Sequence, residues 1–386
     1  MIKSTYLTIT PFFPTEADFR GPFIFDQVEA IIKTEMYDVV VLKPKPWYSF
    51  EKDYEFEGIK VFRFKTYQLP SNLLPGLFDF LSCWSLSRKI NAIGIKTTDI
   101  KIVHAHVTAL GVFAISLKKK NPTIKTILQH HGFDVLSLEN GILSRLKWHR
   151  SWVRNYGIKI CNAIDLHVGV SQKTLDYLKT YIQITVKDSY VLYNGINPAK
   201  FYKIPNSKNQ NFFTIGCIGS FWDLKDQITL LKATQILVEE NRSPIRVKLI
   251  GTGATLQTCK QYVIENKLQD YVEFIDSLPH DQLVYFYNSL DLFVLPSYHE
   301  AFGCVYTEAH ACGVPFIAVE GQGIGELILP KNQSNQTIKK KDSVYLASLL
   351  KFYAVNTDFL PTLSIDYKIE NLINQFINKL NNTSIK

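Results

Sequence analysis

The 386-residue chain predicts an α/β protein built of two Rossmann-like domains that face each other across a crevice. Three observations predict this class. Short β-rich runs alternate with longer helical patterns along both halves, the signature of parallel sheets crossed by helices. A polar stretch at Ile204–Asn211 separates one such series from the next. The length is more than one hydrophobic core needs and suits two.

In chain order, the first series predicts strands at Ser4–Thr10, Val39–Leu42, Lys60–Phe64, Ile102–Ala105, Thr126–Gln129, Leu166–Val170 and Tyr190–Leu192. Apolar residues at helical spacing over Gln27–Thr34 predict a helix between the first two. The second series predicts strands at Phe213–Ile218, Val247–Ile250, Val272–Phe274, Leu292–Leu295 and Phe316–Val319, with helices at Asp226–Glu240 and Asp281–Ser289. Ile365–Leu380 reads as an amphipathic helix. The expected domains are therefore 1–205, 206–364 and a C-terminal helix within 365–386 that packs back on the first domain.

Composition is that of a globular chain, with 46% hydrophobic and 20% charged residues. The first residues lack the apolar core of a signal peptide, and no stretch reaches the ~18 apolar residues that span a bilayer. The six cysteines form no C-x-x-C pair and sit mostly in apolar runs, as expected of reduced core residues in a cytoplasmic protein. Net charge is +8, with +10 before residue 206 and −2 after it. Such a basic half fits either an anionic partner or ordinary solubility charge. A nucleic-acid partner is not expected, because no recognition module accompanies the charge.

The most informative motif is Pro296-Ser-Tyr-His-Glu300-Ala-Phe-Gly303-Cys-Val-Tyr-Thr-Glu308-Ala-His-Ala-Cys-Gly313-Val-Pro315. An apolar strand ends at Pro296, Gly303 permits close backbone approach, and Val305–Cys312 reads as a helix closed by Gly313. A helix starting just past a strand end offers free N–H groups to a phosphate. Two carboxylates beside it, Glu300 in the loop and Glu308 on the helix, suit sugar hydroxyls better than phosphate. The combination points to a sugar nucleotide.

With these features the chain resembles a retaining glycosyltransferase of family four, which has the GT-B fold, over nearly its whole length. The resemblance rests on the E-x7-E motif and on segments in matching order. These are Thr10–Pro14 with Gly21, His104-Ala-His106, His131-Gly132-Phe-Asp134, Val170-Ser171, Asn194-Gly195-Ile-Asn197, Gly219–Lys225 and Gly251-Thr-Gly253. One departure stands out: the family usually carries Arg directly after the first glycine of the phosphate segment, and here that residue is Ser220. Serine offers one hydroxyl where arginine offers a charged fork, so Lys225 must carry more of the leaving-group charge, or donor binding is weaker.

The resemblance implies transfer of a hexose from a UDP- or GDP-sugar to a hydroxyl of a glycan or lipid-linked glycan, as in surface polysaccharide biosynthesis. It places Glu300, Lys225 and His106 at the reacting centre. Donor contacts would come from Glu308 (ribose), Ser220, Phe302, Gly303, Gly251 and Asn194, and acceptor contacts from Gly21 and His131. No cofactor and no metal are expected: the chain has no Asp-x-Asp, so fixed cations and dipoles would stabilise the leaving diphosphate. The basic-aromatic stretch Ile142–Tyr156 and the apolar stretch Leu69–Leu86 fit either core packing or a peripheral position on an anionic membrane surface, on the inner face of the cell membrane. A nucleotide-sugar epimerase on the same fold and a binding-only homologue are the alternatives.

Overall fold

The computed structural model describes residues 3–16, 18–69, 73–132, 146–205, 207–208, 211–240 and 244–382. Asp134 and residues 70–72 and 142–145 of the expected motifs lie outside the described residues. The chain divides into two compact units between Tyr193 and Asn194, and from Ile369 onward it returns to the first. The polar stretch 204–211 belongs to the second unit.

Among the described residues, the first unit holds an eight-stranded sheet in the order β3-β4-β2-β1-β5-β6-β7-β8. Its strands are β1 Ser4–Ile9, β2 Tyr37–Pro46, β3 Tyr54–Phe56, β4 Ile59–Thr66, β5 Ile100–His106, β6 Lys125–His130, β7 Leu166–Gly169 and β8 Ser189–Val191. All pairs are parallel except β3 with β4. That hairpin carries no sequence period, since β3 spans three residues. It turns at Glu57 and Gly58, both at positive φ, as a two-residue hairpin requires. Leu7, Ile9, Val103, Ala105 and Leu128 are buried in one core, and Tyr6, Ile102 and Ile127 on the alternate face are buried too, which explains the near-continuous apolar runs. The expected Gln27–Thr34 helix is longer, Pro22–Lys33. Pro22 opens it, its missing N–H costing nothing in the first turn. The tail helix Ile369–Asn382 packs on it, with Lys33 bonded to Glu370 at 3.0 Å and the Tyr37 hydroxyl donating to Asn381 Oδ1 at 2.8 Å.

The second unit holds a parallel sheet in the order β11-β10-β9-β12-β13-β14. Its strands are β9 Phe213–Ile218, β10 Ile245–Ile250, β11 Val272–Ile275, β12 Leu292–Val294, β13 Phe316–Val319 and β14 Thr337–Ile338. Strand order reverses direction between β9 and β12 in this sheet and between β1 and β5 in the first. Loops leaving the C-terminal ends of such strand pairs diverge and leave a crevice for a ligand.

Candidate active site

In the second unit, every expected donor-side segment except Asn194 follows the C-terminal end of a parallel strand. Gly219–Lys225 follows β9, Gly251 follows β10, and Ser297–Gly303 follows β12. The β9 and β12 loops flank the reversal point. They are stitched together by Leu224, whose carbonyl accepts from Tyr298 N (3.1 Å) and from the Ser297 hydroxyl (3.0 Å). Across the same point the Lys225 ammonium donates to Glu300 Oε1 in an ion pair. Both residues are named by the sequence, but their pairing joins positions 75 apart in the chain.

Glu300 is held on its backbone as well. Its N–H donates to Gln322 Oε1 at 2.8 Å, and its carbonyl accepts from Gly323 N. Gly323 is needed there, because a Cβ would lie 1.9 Å from the Ala301 carbonyl oxygen. Gln322 and Gly323 follow β13 and carry no sequence signal that distinguishes them from a loop.

Gly303, at φ 89°, caps the helix Cys304–Ala311 without a side chain. The first-turn N–H groups of this helix are thus left unobstructed by a capping side chain. Beneath it, Tyr306 is fully buried, packs on Phe293 and Phe316, and donates its hydroxyl to the Leu295 carbonyl at 2.7 Å. Phe302 is buried too, so its ring packs the loop and its backbone is what remains for a ligand. Glu308 accepts from the Tyr287 hydroxyl at 2.7 Å. Burial, then the Glu308 charge, pushes the Tyr287 hydroxyl pKa far up, so it stays a donor. No sequence motif marks this tyrosine. Its only signal is an apolar helix, Leu283–Asn288, ending just before β12. Asn194 hydrogen-bonds the Cys304 thiol, which burial first and the Glu308 charge second push up to about 12. Asn194, Glu308 and the helix start therefore form one cluster.

Ser220 is exposed, and its carbonyl accepts from Gln227 Nε2 at 3.2 Å, beside the Gly219 carbonyl at 3.3 Å. Gly251, at φ 141°, packs directly on Gly219. Within Gly219–Lys225 the only cation is Lys225. Among the described residues no group of three or more His, Cys, Asp or Glu has metal-binding geometry.

In the first unit, Gly21, His106 and His131 gather at the other reversal point. Gly21 (φ 86°) ends the β1 loop, where a Cβ would lie 2.9 Å from the Phe12 carbonyl oxygen. His106 ends β5, and its Nδ1 lies 2.9 Å from His131 Nε2, with the rings stacked. Phe23, two residues past Gly21, packs its ring 5.0 Å from His131. His131 Nδ1 is buried and has no hydrogen-bond partner among the described residues. Behind them sit residues the motif did not separate by role. Tyr6 OH lies 2.7 Å from His104 Nδ1, and the His104 ring stacks on His106. His167 Nε2 donates to the Cys161 carbonyl at 3.0 Å, which leaves Nδ1 as the acceptor of His130 Nε2 at 3.0 Å.

Burial holds these imidazoles neutral. The pKa of His104 and of His131 falls to about 3 and that of His167 to about 4, burial being the largest cause in each. The unfolded chain, with histidines near 6.5, binds protons that the fold does not. Their contribution to stability is complete above about pH 6.5 and is lost as pH falls toward the folded values, by about 1.4 kcal/mol per pH unit per histidine. A melting temperature that drops steeply from about pH 7 to about pH 5 is the expected result. A flat profile would mean these rings are hydrated in the fold.

The family model for glycosyl transferases group 1 matches residues 199–350, and the model for glycosyltransferase family 4 matches residues 22–200. An uncharacterized glycosyltransferase of Methanocaldococcus jannaschii is 27% identical over 66% of this chain. The match spans 64% of that relative, under two thirds of its length. A D-inositol 3-phosphate glycosyltransferase of Corynebacterium efficiens is 29% identical over 25% of this chain and 24% of its own. Among solved structures, sucrose-phosphate synthase from Thermosynechococcus elongatus superposes with a TM-score of 0.75 at 18% identity, covering 99% of both chains. HepE from Anabaena, solved in complex with UDP-glucose, superposes with a TM-score of 0.68 at 16% identity, over 98% of this chain and 100% of that one. At such identities these likenesses establish the fold, two Rossmann-like domains of the GT-B class.

Proposed function

The chain belongs to glycosyltransferase family 4 of the group 1 type, and from that membership we propose that it transfers a hexose, with retention and without a metal, from a UDP- or GDP-sugar to a hydroxyl of a glycan or lipid-linked glycan. The observation that carries the proposal is the Lys225–Glu300 pair at the reversal point of the second sheet, beside the helix that carries Glu308. A diphosphate placed at the Gly303 helix start would meet the free N–H groups of its first turn and the Lys225 ammonium. Glu308, oriented by Tyr287, would accept from the ribose hydroxyls. Glu300, released from part of its ion pair as Lys225 turns to phosphate, would accept from the transferred sugar. The leaving phosphate would take the acceptor proton on the same face. His106 and His131, kept neutral by burial, would hold hydroxyls through a ring nitrogen rather than a charge. Solved HepE binds UDP-glucose, which favours a uridine donor.

The test is the melting temperature of the purified protein with UDP, GDP and ADP, without added metal. Ligand at about 100 times its Kd adds about 2.7 kcal/mol to the folded state. A selective rise with one nucleotide, lost in Glu308→Ala, is expected. No rise with any nucleotide would overturn the donor site. A rise without transfer to any acceptor would support the binding-only alternative that Ser220 raises, and conversion of the nucleotide sugar without acceptor would favour an epimerase.

A further inference from the structure

Two helices of the first unit turn large apolar side chains outward where packing gives no reason for them. Asp79–Ala92 buries Ser82, Leu86 and Ile90. Its opposite stripe, running back into the preceding turn, is Leu77 (49% exposed), Phe80 (67%), Trp84 (55%) and Arg88, at three- and four-residue spacing. Lys147–Ala163 buries His149, Val153, Gly157, Ile160 and Cys161. It exposes Trp148 (52%) and Trp152 (48%) one turn apart. The helices are neighbours: Trp152 Nε1 donates to the Pro75 carbonyl at 3.1 Å, and the Tyr156 hydroxyl donates to Asp79 Oδ2 at 2.7 Å. Trp152 and the turn that opens the Leu77–Arg88 stripe are therefore adjacent.

Among the described residues, the exposed charges of these two helices are all cationic. The helix Lys147–Ala163 contains no Asp or Glu, and its exposed cations are Lys147, Arg150, Arg154 and Lys159. The Arg88 guanidinium lies 5.0 Å over the Trp84 ring. The carboxylate of the outer helix, Asp79, is occupied by Tyr156. A partner must therefore accept tryptophan and phenylalanine rings and supply negative charge around them. An anionic bilayer surface does both, because indole rings settle at the headgroup level and basic side chains pair with the headgroups. Among the described residues no helix is long and apolar enough to cross a membrane, so contact would be lateral.

We infer that this face of the first unit, the outward stripes of Leu77–Arg88 and Trp148–Lys159, docks on an anionic lipid bilayer. The inference gives the lipid-linked acceptor of the proposed reaction a surface at which to be met, but it stands on residues that the donor site does not use.

The experiment is cosedimentation with vesicles of phosphatidylcholine alone and of phosphatidylcholine and phosphatidylglycerol in equal parts. Two variants accompany it: Phe80→Ala/Trp84→Ala/Trp148→Ala and Lys147→Glu/Arg150→Glu. The native protein is expected to sediment with the anionic vesicles only. Each variant is expected to lower partitioning by about tenfold or more, while its UDP-induced rise in melting temperature matches the native one. Absence of sedimentation with anionic vesicles, or variants that bind as the native protein does, would overturn the inference. So would a native dimer in sedimentation velocity that the triple variant converts to monomer, since the face would then be a self-interface. A native protein that binds vesicles yet shows no rise in melting temperature with UDP, GDP or ADP would sink the donor reading and leave this one standing.

Discussion

Lys225→Ala is expected to lower kcat/KM for glycosyl transfer by about 10²–10³, the effect of removing one preorganised charge from a developing anion. The ammonium is the only cation within Gly219–Lys225, where the family usually has two, so no arginine shares the load. Its resting partner is Glu300, whose side chain is only 11% exposed. Losing Lys225 also strands that carboxylate. Stranding a fully buried charge costs about 3–5 kcal/mol. The cost here is expected to be smaller, because the Lys225 side chain is itself 26% exposed and water can enter. The loss should fall on kcat more than on UDP affinity, since the charge on the leaving phosphate grows as the glycosidic bond breaks. Lys225→Arg should recover part of the rate. Full activity in Lys225→Ala would mean another cation reaches the diphosphate.

Gly251→Ala is expected to destabilise the second unit by about 2–4 kcal/mol and to abolish any nucleotide-induced rise in melting temperature. The residue stands at φ 141°, and an added Cβ would lie 2.2 Å from the Gly219 carbonyl oxygen. Backbone, not a flexible side-chain end, would have to move. Gly219 is tied to β10 through its N–H to the Ile250 carbonyl at 3.0 Å and to Gln227 through its own carbonyl. Displacement therefore passes into the segment that ends at Lys225. Gly325→Ala is the control: nothing lies within 4 Å of its Cβ position, and the change should stay within about 0.5 kcal/mol. Thermal denaturation of both, with and without UDP, separates strain from a general intolerance of side chains in these loops. Equal melting temperatures for the two would refute the packing argument.

The information legible in the sequence is local. Alternating and continuous apolar runs mark strands that the structure contains, because a strand's burial is written in its own side chains. Gly303 and Gly251 announced tight backbone geometry for the same reason, since a positive φ is a property of one residue. Glu300, Glu308 and Lys225 were visible as motif members. Less visible were the short elements. β3 spans three residues and β14 two, too few for a period to register. Apolar spacing marks the Pro22–Lys33 helix only from Gln27 onward, because its first turn is specified by Gly21 and Pro22.

The amino-acid sequence by itself determined that this chain makes two mainly parallel sheets crossed by helices and that a helix opened by Gly303 follows β12. Those properties depend on residue types within one run. Only the tertiary structure decided that Lys225 meets Glu300, that Tyr287 orients Glu308, that Gln322 holds the Glu300 backbone and that Tyr6 meets His104. These partners lie 75, 21, 22 and 98 residues apart. Their meeting depends on the order in which strands pair, and strand order is set by the packing of whole helices and sheets against one another, which no local period encodes.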